Sequence, residues 1–210
     1  MPSTFKQFLE KITREKAPGP SPAFSIFHML RAIELMAEKT IGRSKLAEEL
    51  KVGEGTVRTI VSRLKDAGLI KTSKLGCFLT SKGLNFWNEY KTVFRKKVEI
   101  GKSELTFADY NFAILVKNCG HKIKSGMKQR DAAIMVGARG ATTIMFKERH
   151  LILPSISDDM AKDFPKAANQ IISLLQPEEN DVIVIGSADS LEKAEYGTLA
   201  AAWTLVNDCG

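Results

Sequence analysis

Gly53-Glu54-Gly55-Thr56-Val57-Arg58-Thr59-Ile60-Val61-Ser62-Arg63-Leu64-Lys65-Asp66-Ala67-Gly68-Leu69-Ile70 is the stretch on which the reading of this chain turns. Val57, Ile60, Val61 and Leu64 recur at helical spacing, so one side of a helix is apolar, and Glu54, Gly55, Arg58, Thr59, Ser62 and Lys65 face outward on a polar, basic strip. Upstream, Ser44 to Leu50 reads as a brief helix with Ser44 as its N-cap, and Lys51-Val52-Gly53 as the tight turn between the two. Two short helices joined by a glycine turn are a helix-turn-helix. Downstream, Leu69 to Ser73 and Cys77 to Leu79 flank Lys74-Leu75-Gly76, the pattern of a small hairpin or wing. Thr80-Ser81-Lys82-Gly83 then leads into a helix predicted over Ser81 to Val98, with Leu84, Trp87, Tyr90, Phe94 and Val98 on its apolar side.

The run SKLAEELKVGEGTVRTIVSRLKDAGLIKTSKLGCFLTSKG resembles the winged-helix DNA-binding domains of prokaryotic transcription regulators, among them the iron-dependent-repressor and multiple-antibiotic-resistance types. The resemblance extends from about Ala23 to Tyr90. It rests on Ala47 in the first helix, Val57 and Leu64 at the ends of the second helix's apolar face, Gly68-Leu69-Ile70 entering the wing, and Leu79-Thr80-x-x-Gly83 starting the last helix. The whole chain is also similar to archaeal proteins that place such a domain before a C-terminal domain of unassigned function, which implies no activity.

What the first resemblance implies can be stated by residue. An α-helix fits the major groove, and a helix-turn-helix presents the N-terminal part of its second helix to base edges, so Gly55, Thr56, Arg58, Thr59 and Ser62 are the candidates there. Arg58 is the expected strong reader, through a bidentate contact to guanine; Gly55 permits close approach and reads nothing. Ser44, Lys45, Arg63 and Lys65 are assigned to phosphates, which position without specifying. Lys71 and Lys74 would bring the wing to the backbone or the adjacent minor groove. Winged helices also serve as protein-interaction or packing modules with the same apolar core. RNA is the weaker partner, because the interleaved aromatic platform that single strands favour is missing.

Composition agrees with this placement. A 44% hydrophobic content over 210 residues suffices for one or two packed cores. No run of about 18 apolar residues is present to span a bilayer, and no basic, apolar leader opens the chain, so a cytoplasmic protein without membrane contact is expected. Cys77, Cys119 and Cys209 show no C-x-x-C spacing and are read as packing residues. Charge is unevenly spread: residues 1–102 carry 20 Lys and Arg against 10 Asp and Glu, whereas residues 103–210 carry 11 against 14. The basic half holds the winged helix, which suits a polyanion whose condensed counterions are released on binding.

Around the central motif, Ser3 to Lys16 reads as an amphipathic helix with Phe5, Phe8, Leu9 and Ile12 in its stripe and Ser3 as its cap, either packing on the winged helix or forming a dimer arm. Ala17-Pro18-Gly19-Pro20-Ser21-Pro22 breaks it, and Ser21-Pro22 begins a helix whose buried face is Phe24, Phe27, Leu30, Ile33 and Met36. His28 lies among these with no ligand-spaced partner, so it is read as a partly buried or surface residue. Thr40 to Arg43 is expected to supply a short strand. Arg95-Lys96-Lys97 ends the last helix as a solvated or phosphate-touching triplet.

The second half reads as α/β. Strands are expected at Tyr110 to Lys117, at Ala132 to Val136, and at Asp181 to Ile185, with a hairpin of Thr142 to Phe146 and His150 to Leu153 across Lys147-Glu148-Arg149. Helices are expected at Asp158 to Asp163 and Lys166 to Leu175, interrupted at Pro165, and at Leu191 to Asn207 after a Gly186-Ser187-Ala188-Asp189-Ser190 turn. That turn, with the loops Ser125 to Asp131 and Gly137 to Thr143, makes Arg130, Arg139, Gly140, Thr142, Thr143, Gly186, Ser187 and Asp189 weak candidates for an anionic ligand, against simple glycine turns with Arg139 salt-bridged or solvated. No phosphate-loop or dinucleotide fingerprint is present. His121 with Cys119, or Asp131 with Arg130, lacks any surrounding catalytic motif, and Asp158-Asp159 reads as helix-dipole charge rather than a metal site. No catalytic residue, metal or cofactor is assigned.

The expected architecture is therefore α+β or α/β: a winged helix-turn-helix domain over residues 1–98, with an extra N-terminal helix at 1–16 and a connecting or dimerisation helix at 80–98, followed by a small α/β domain over 99–210 for effector binding or oligomerisation. The expected function is a homodimeric, duplex-DNA-binding transcription regulator that responds to a small anionic effector or uses its second domain to dimerise. The alternatives are an enzyme domain acting on a phosphorylated or anionic metabolite fused to a winged helix, and a winged-helix interaction module.

Overall fold

The computed structural model describes residues 4–14 and 23–206. They form two compact units that join in sequence at Lys91 and Thr92. The fold is the expected one, a winged helix-turn-helix followed by a domain of mixed helix and sheet.

The first unit runs α1 (Thr4–Thr13), α2 (Ile26–Glu38), α3 (Arg43–Leu50), α4 (Glu54–Asp66), β1 (Ile70–Ser73), β2 (Gly76–Leu79) and α5 (Ser81–Val93). Its core is built from the periodic positions: Leu30 and Ile33 of α2, Leu46 and Leu50 of α3, and Val57, Ile60, Val61 and Leu64 of α4 are all buried. α1 packs on this core, with Phe5 and Leu9 buried and the Phe5 ring edge-on to Phe86 and Tyr90 at 6.0 and 6.1 Å. The cap proposed at Ser3 and the break at Ala17 to Pro22 lie outside the described residues. α2 is capped at Ser25, whose Oγ accepts from the Phe27 N–H at 3.3 Å while the Ser25 N–H donates to His28 Nδ1 at 3.0 Å. His28 thus closes a capping box, which requires an unprotonated Nδ1.

Three local expectations shift. Gly42, not Ser44, is the N-cap of α3, and Ser44 lies inside the helix. The strand at Thr40 to Arg43 shrinks to one bridging residue, Ile41, which exchanges backbone hydrogen bonds of 3.0 and 2.8 Å with Cys77 in the wing. Gly76 makes that contact possible: its φ is +135°, and a Cβ there would stand 2.5 Å from the Ile41 carbonyl oxygen. Finally, α5 stops at Val93 and buries Phe86 and Tyr90, leaving Leu84 exposed. Phe94–Glu99 continues as strand β3, because pairing of Phe94 with Val116 and Val98 with Ala113 satisfies its backbone in a ladder.

The second unit contains β3, β4 (Tyr110–Val116), α6 (Met127–Met135), β5 (Gly140–Lys147), β6 (His150–Ile152), α7 (Met160–Asp163), α8 (Pro165–Leu175), β7 (Val182–Ala188) and α9 (Leu191–Trp203). The sheet order is β3-β4-β7-β5-β6, antiparallel at every pairing, which makes this unit α+β. Alternation along the strands gives each face its own helices. Ala113, Leu115, Ile144, Ile183 and Ile185 pack with Met160, Ala167, Ile171 and Leu175 of α7 and α8. The alternate residue Gly186 meets α9, where a Cβ would come within 2.4 Å of Thr198 Oγ1.

The hairpin from β5 to β6 turns through Glu148 and Arg149, with φ of 52° and 67°, the pair of positive values of a type I′ loop. Asp159 caps α7 by accepting from the Ala161 N–H at 3.1 Å, and Pro165 opens α8. Ala132 to Val136 is not a buried strand. Met127–Met135 is helical, and Ile134, Met135 and Val136 are exposed, Met135 by 87%. A short apolar run carries no period of its own, and here the preceding residues from Gly126 supply the first helical turns. Cys119 is disulfide-bonded, which departs from the packing role read for it, whereas Cys77 is free and buried. Among the described residues no helix is long and apolar enough to cross a membrane.

Candidate nucleic-acid interface

One groove, of about 620 Å³, runs between the start of α3, the outward face of α4 and the wing. Arg43 and Ser44 line it from α3, Arg58, Ser62 and Lys65 from α4, and Thr72, Ser73, Lys74 and Leu75 from the wing. Positions 58, 62 and 65 share one side of α4 because they stand four and three residues apart, opposite the buried Val57, Ile60 and Leu64. The wing tip is fixed locally, since Ser73 Oγ accepts from the Leu75 N–H at 3.1 Å, and Leu75 itself stands 84% exposed.

Charge is the main property of this groove. Arg43, Arg58, Lys65 and Lys74 are its four cations, and among the described residues none has a carboxylate partner. Some other cations of the same unit are neutralised: Lys45 lies 2.7 Å from Glu48 and 3.7 Å from Glu49, and Arg31 lies 2.7 Å from Glu34. The hydrogen bond and charge of Glu48 hold the Lys45 ammonium above its ordinary value. Burial pushes the Cys77 thiol up, partly offset by the nearby Arg43 charge, so the sulfur at the groove floor is a protonated, weakly nucleophilic group.

The residues read from sequence separate accordingly. Ser44, Arg58, Ser62, Lys65 and Lys74 come together in the groove, while Gly55, Thr56 and Thr59 occupy the first turns of α4, Gly55 and Thr59 exposed and Thr56 half-buried. Lys45 is exposed but already paired. One assignment is corrected. Arg63 is only 9% exposed and turns inward: its Nη1 donates to the carbonyls of Thr13 at 2.5 Å and Arg14 at 3.0 Å, and its guanidinium lies 5.1 Å over the Phe24 ring. It satisfies the last carbonyls of α1, where a cation also meets the negative end of the helix dipole, and is not available to phosphate. Lys71, in β1, is exposed but does not line the groove. Arg43 is the groove cation that sequence reasoning missed; recognising Gly42 as the cap would have brought it to the first turn of α3.

The anion cradle expected in the second unit is not assembled. Ser187 is fully buried in β7, its hydroxyl donating to Asn111 Oδ1 at 2.6 Å and accepting from the Phe107 N–H at 3.1 Å. Gly186 lies in the same strand, not in a turn, with its N–H bonded to Thr198 Oγ1 at 3.1 Å. Thr142 donates to the Leu105 carbonyl at 3.1 Å, and Thr143, the next residue, is buried on the other face of the sheet. Arg139 and Asp189 do come together beside Gly140, but as a pair, with Nε donating at 2.9 and 3.0 Å. That hydrogen bond holds the Asp189 carboxyl below its ordinary range and the Arg139 guanidinium above. Arg130 pairs with its neighbour Asp131 at 3.2 Å. His121 Nδ1 lies 3.1 Å from Asn180 Nδ2, and Cys119 beside it is engaged in its disulfide. Among the described residues no group of three or more His, Cys, Asp or Glu is placed to hold a metal ion.

Comparison with other proteins divides the chain at the same place. Residues 29–85 match the model of a PH0730-like N-terminal domain, and residues 107–205 match that of a domain of unknown function, DUF4443. Among solved structures the chain is similar to hypothetical protein PH0730 from Pyrococcus horikoshii OT3, at 26% identity and a TM-score of 0.69 over 87% of this chain and 92% of that one. It also matches wild-type ZitR of Lactococcus lactis at 26% identity over 42% of this chain and 65% of that one, with a TM-score of 0.30, too low for a shared fold to be argued from it. No curated protein matches the chain.

Proposed function

We propose that the winged helix of this protein binds duplex DNA through the groove between α3, α4 and the wing, and that the protein acts as a transcription regulator. The observation that carries the reading is the set of four cations on that groove without carboxylate partners, beside an exposed helix face of small polar side chains. A phosphate backbone supplies the missing counter-charge, and the strip from Gly55 through Arg58 to Ser62 is the part of α4 free to enter a major groove. Phosphate contacts belong to Arg43, Lys65 and Lys74, and base reading to Arg58.

For the second unit the proposal is oligomeric contact, with a homodimer as the acting form. The residues first suggested for an anionic effector are mostly spent on internal bonds, whereas Ile134, Met135 and Val136 present exposed apolar surface on one helix end.

The test is duplex binding measured against salt concentration with the full chain. Affinity is expected to fall linearly on a double logarithmic plot, and Lys74→Ala to reduce the slope by about one. Arg58→Ala is expected to cost about 1–3 kcal/mol on selected sites and much less on random DNA. Binding that is absent at low salt, or indifferent to these two substitutions, rejects the reading.

A further inference from the structure

Glu54 is the first residue of α4 and is exposed, at the helix end beside Ser44 of α3. Its carboxylate is satisfied by a neutral group, Ser44 Oγ, which donates to Oε1 at 3.2 Å, and by none of the four groove cations. A carboxylate at this point opposes phosphate binding by like charge. It also has free lone pairs, because one hydroxyl occupies only part of its accepting capacity. The backbone around it is unusually open: Gly53 and Gly55 both have no atom within 4 Å of where a Cβ would be, and neither needs a positive φ. Gly53 is the N-cap of α4, a place that suits glycine, whereas the fold gives no steric or conformational reason for glycine at 55. Smallness at both positions suits a surface approached closely from outside.

Resting on the DNA-binding reading above, we infer that Glu54 is a specificity-determining residue which accepts a hydrogen bond from the exocyclic amine of a cytosine in the major groove. Among base edges, that amine is the donor a carboxylate reads, and phosphate oxygens offer it nothing. Arg58 stands one turn further along the same side, about 6 Å by helical rise, so it reaches a guanine within two base steps of that cytosine. The Ser44 hydroxyl positions the carboxylate before DNA arrives, and the open glycines let the helix end come close enough for a side chain of this length to reach the base.

The experiment is selection from a randomised duplex library with the full-length protein, then with Glu54→Ala and Glu54→Gln, each variant first shown to melt like the parent. The parent is expected to enrich a cytosine at one position by tenfold or more. Glu54→Ala is expected to lose that preference alone while binding mixed-sequence DNA more tightly, since a negative charge has gone. Glu54→Gln is expected to move the preference toward adenine, which an amide side chain reads through N6 and N7. If the parent enriches sites but both variants keep its base preference at every position, this inference is overturned and the DNA-binding reading stands. If the parent enriches no duplex, both fall together.

Discussion

Replacing Gly55 by alanine separates what the fold needs from what a partner needs. The site has ordinary helical backbone and open space where the methyl group would go. Alanine there removes conformational freedom from the unfolded chain without strain in the folded one, a gain of about 0.4–1 kcal/mol. For a unit of this size that corresponds to a rise in melting temperature of roughly 2–8 °C. The same methyl stands at the end of α4 proposed to approach the duplex most closely, and is expected to weaken binding about tenfold, or about 1.4 kcal/mol. Thermal melting followed by circular dichroism gives the first quantity, and fluorescence anisotropy with a labelled duplex the second. A lowered melting temperature would refute the reading of the backbone. A raised one with unchanged affinity would show that DNA does not come near this turn.

Further outcomes follow from other contacts. Arg63→Ala is expected to lower stability by about 2 kcal/mol, through loss of its hydrogen bonds to Thr13 and Arg14, and to leave the salt slope alone, whereas Lys65→Ala should do the reverse; melting and salt titration on both variants check this. Gly76→Ala forces a side chain onto a φ of +135° and against Ile41, and should cost at least about 1–3 kcal/mol by denaturant titration. The Glu178 carboxyl is held below its ordinary range by hydrogen bonds from Lys117 and Arg95, so it binds protons less readily in the folded chain than in the unfolded one. Its contribution is present in full above the unfolded carboxylate range, roughly pH 4, and is lost as pH falls through the lowered folded value; Glu178→Gln should flatten the acid limb of a stability profile. Cys77, buried and with its thiol raised, should resist alkylation at neutral pH until the first unit is unfolded, as peptide mapping would show.

The legible parts of the sequence were those where one solvent boundary decides everything. Val57, Ile60, Val61 and Leu64 repeat against Arg58, Ser62 and Lys65, and that contrast gave the central helix and most of its exposed strip. Pro165 and the hairpin at Glu148-Arg149 were legible because helix-breaking and turn chemistry act within a few residues, whereas Asp159, read as a first-turn charge, is the N-cap of α7. Legibility ended where a distant partner decides. Phe94 to Val98 fits a helical stripe as well as a strand, and only the ladder with β4 selects between them. Ala132 to Val136 looks buried by composition, yet it is the last turn of a helix with its apolar end in solvent. Ser187 and Thr142 have the chemistry of ligand contacts, but their bonds go to residues 76 and 37 positions away. Arg63 was counted among the phosphate cations because nothing within its own helix reveals that the carbonyls of α1 claim it.

The inward turn of that guanidinium also sets where the DNA-binding half can be cut. A minimal fragment trimmed to begin at α2 would keep every side chain proposed to touch a duplex, but would remove both acceptors of Arg63 and the Phe24 ring beneath its guanidinium, at a cost of about 2 kcal/mol. α1 and Arg14 are thus part of the smallest piece that can be expected to stand alone, and a failed excision without them would report a missing counterpart rather than a missing domain.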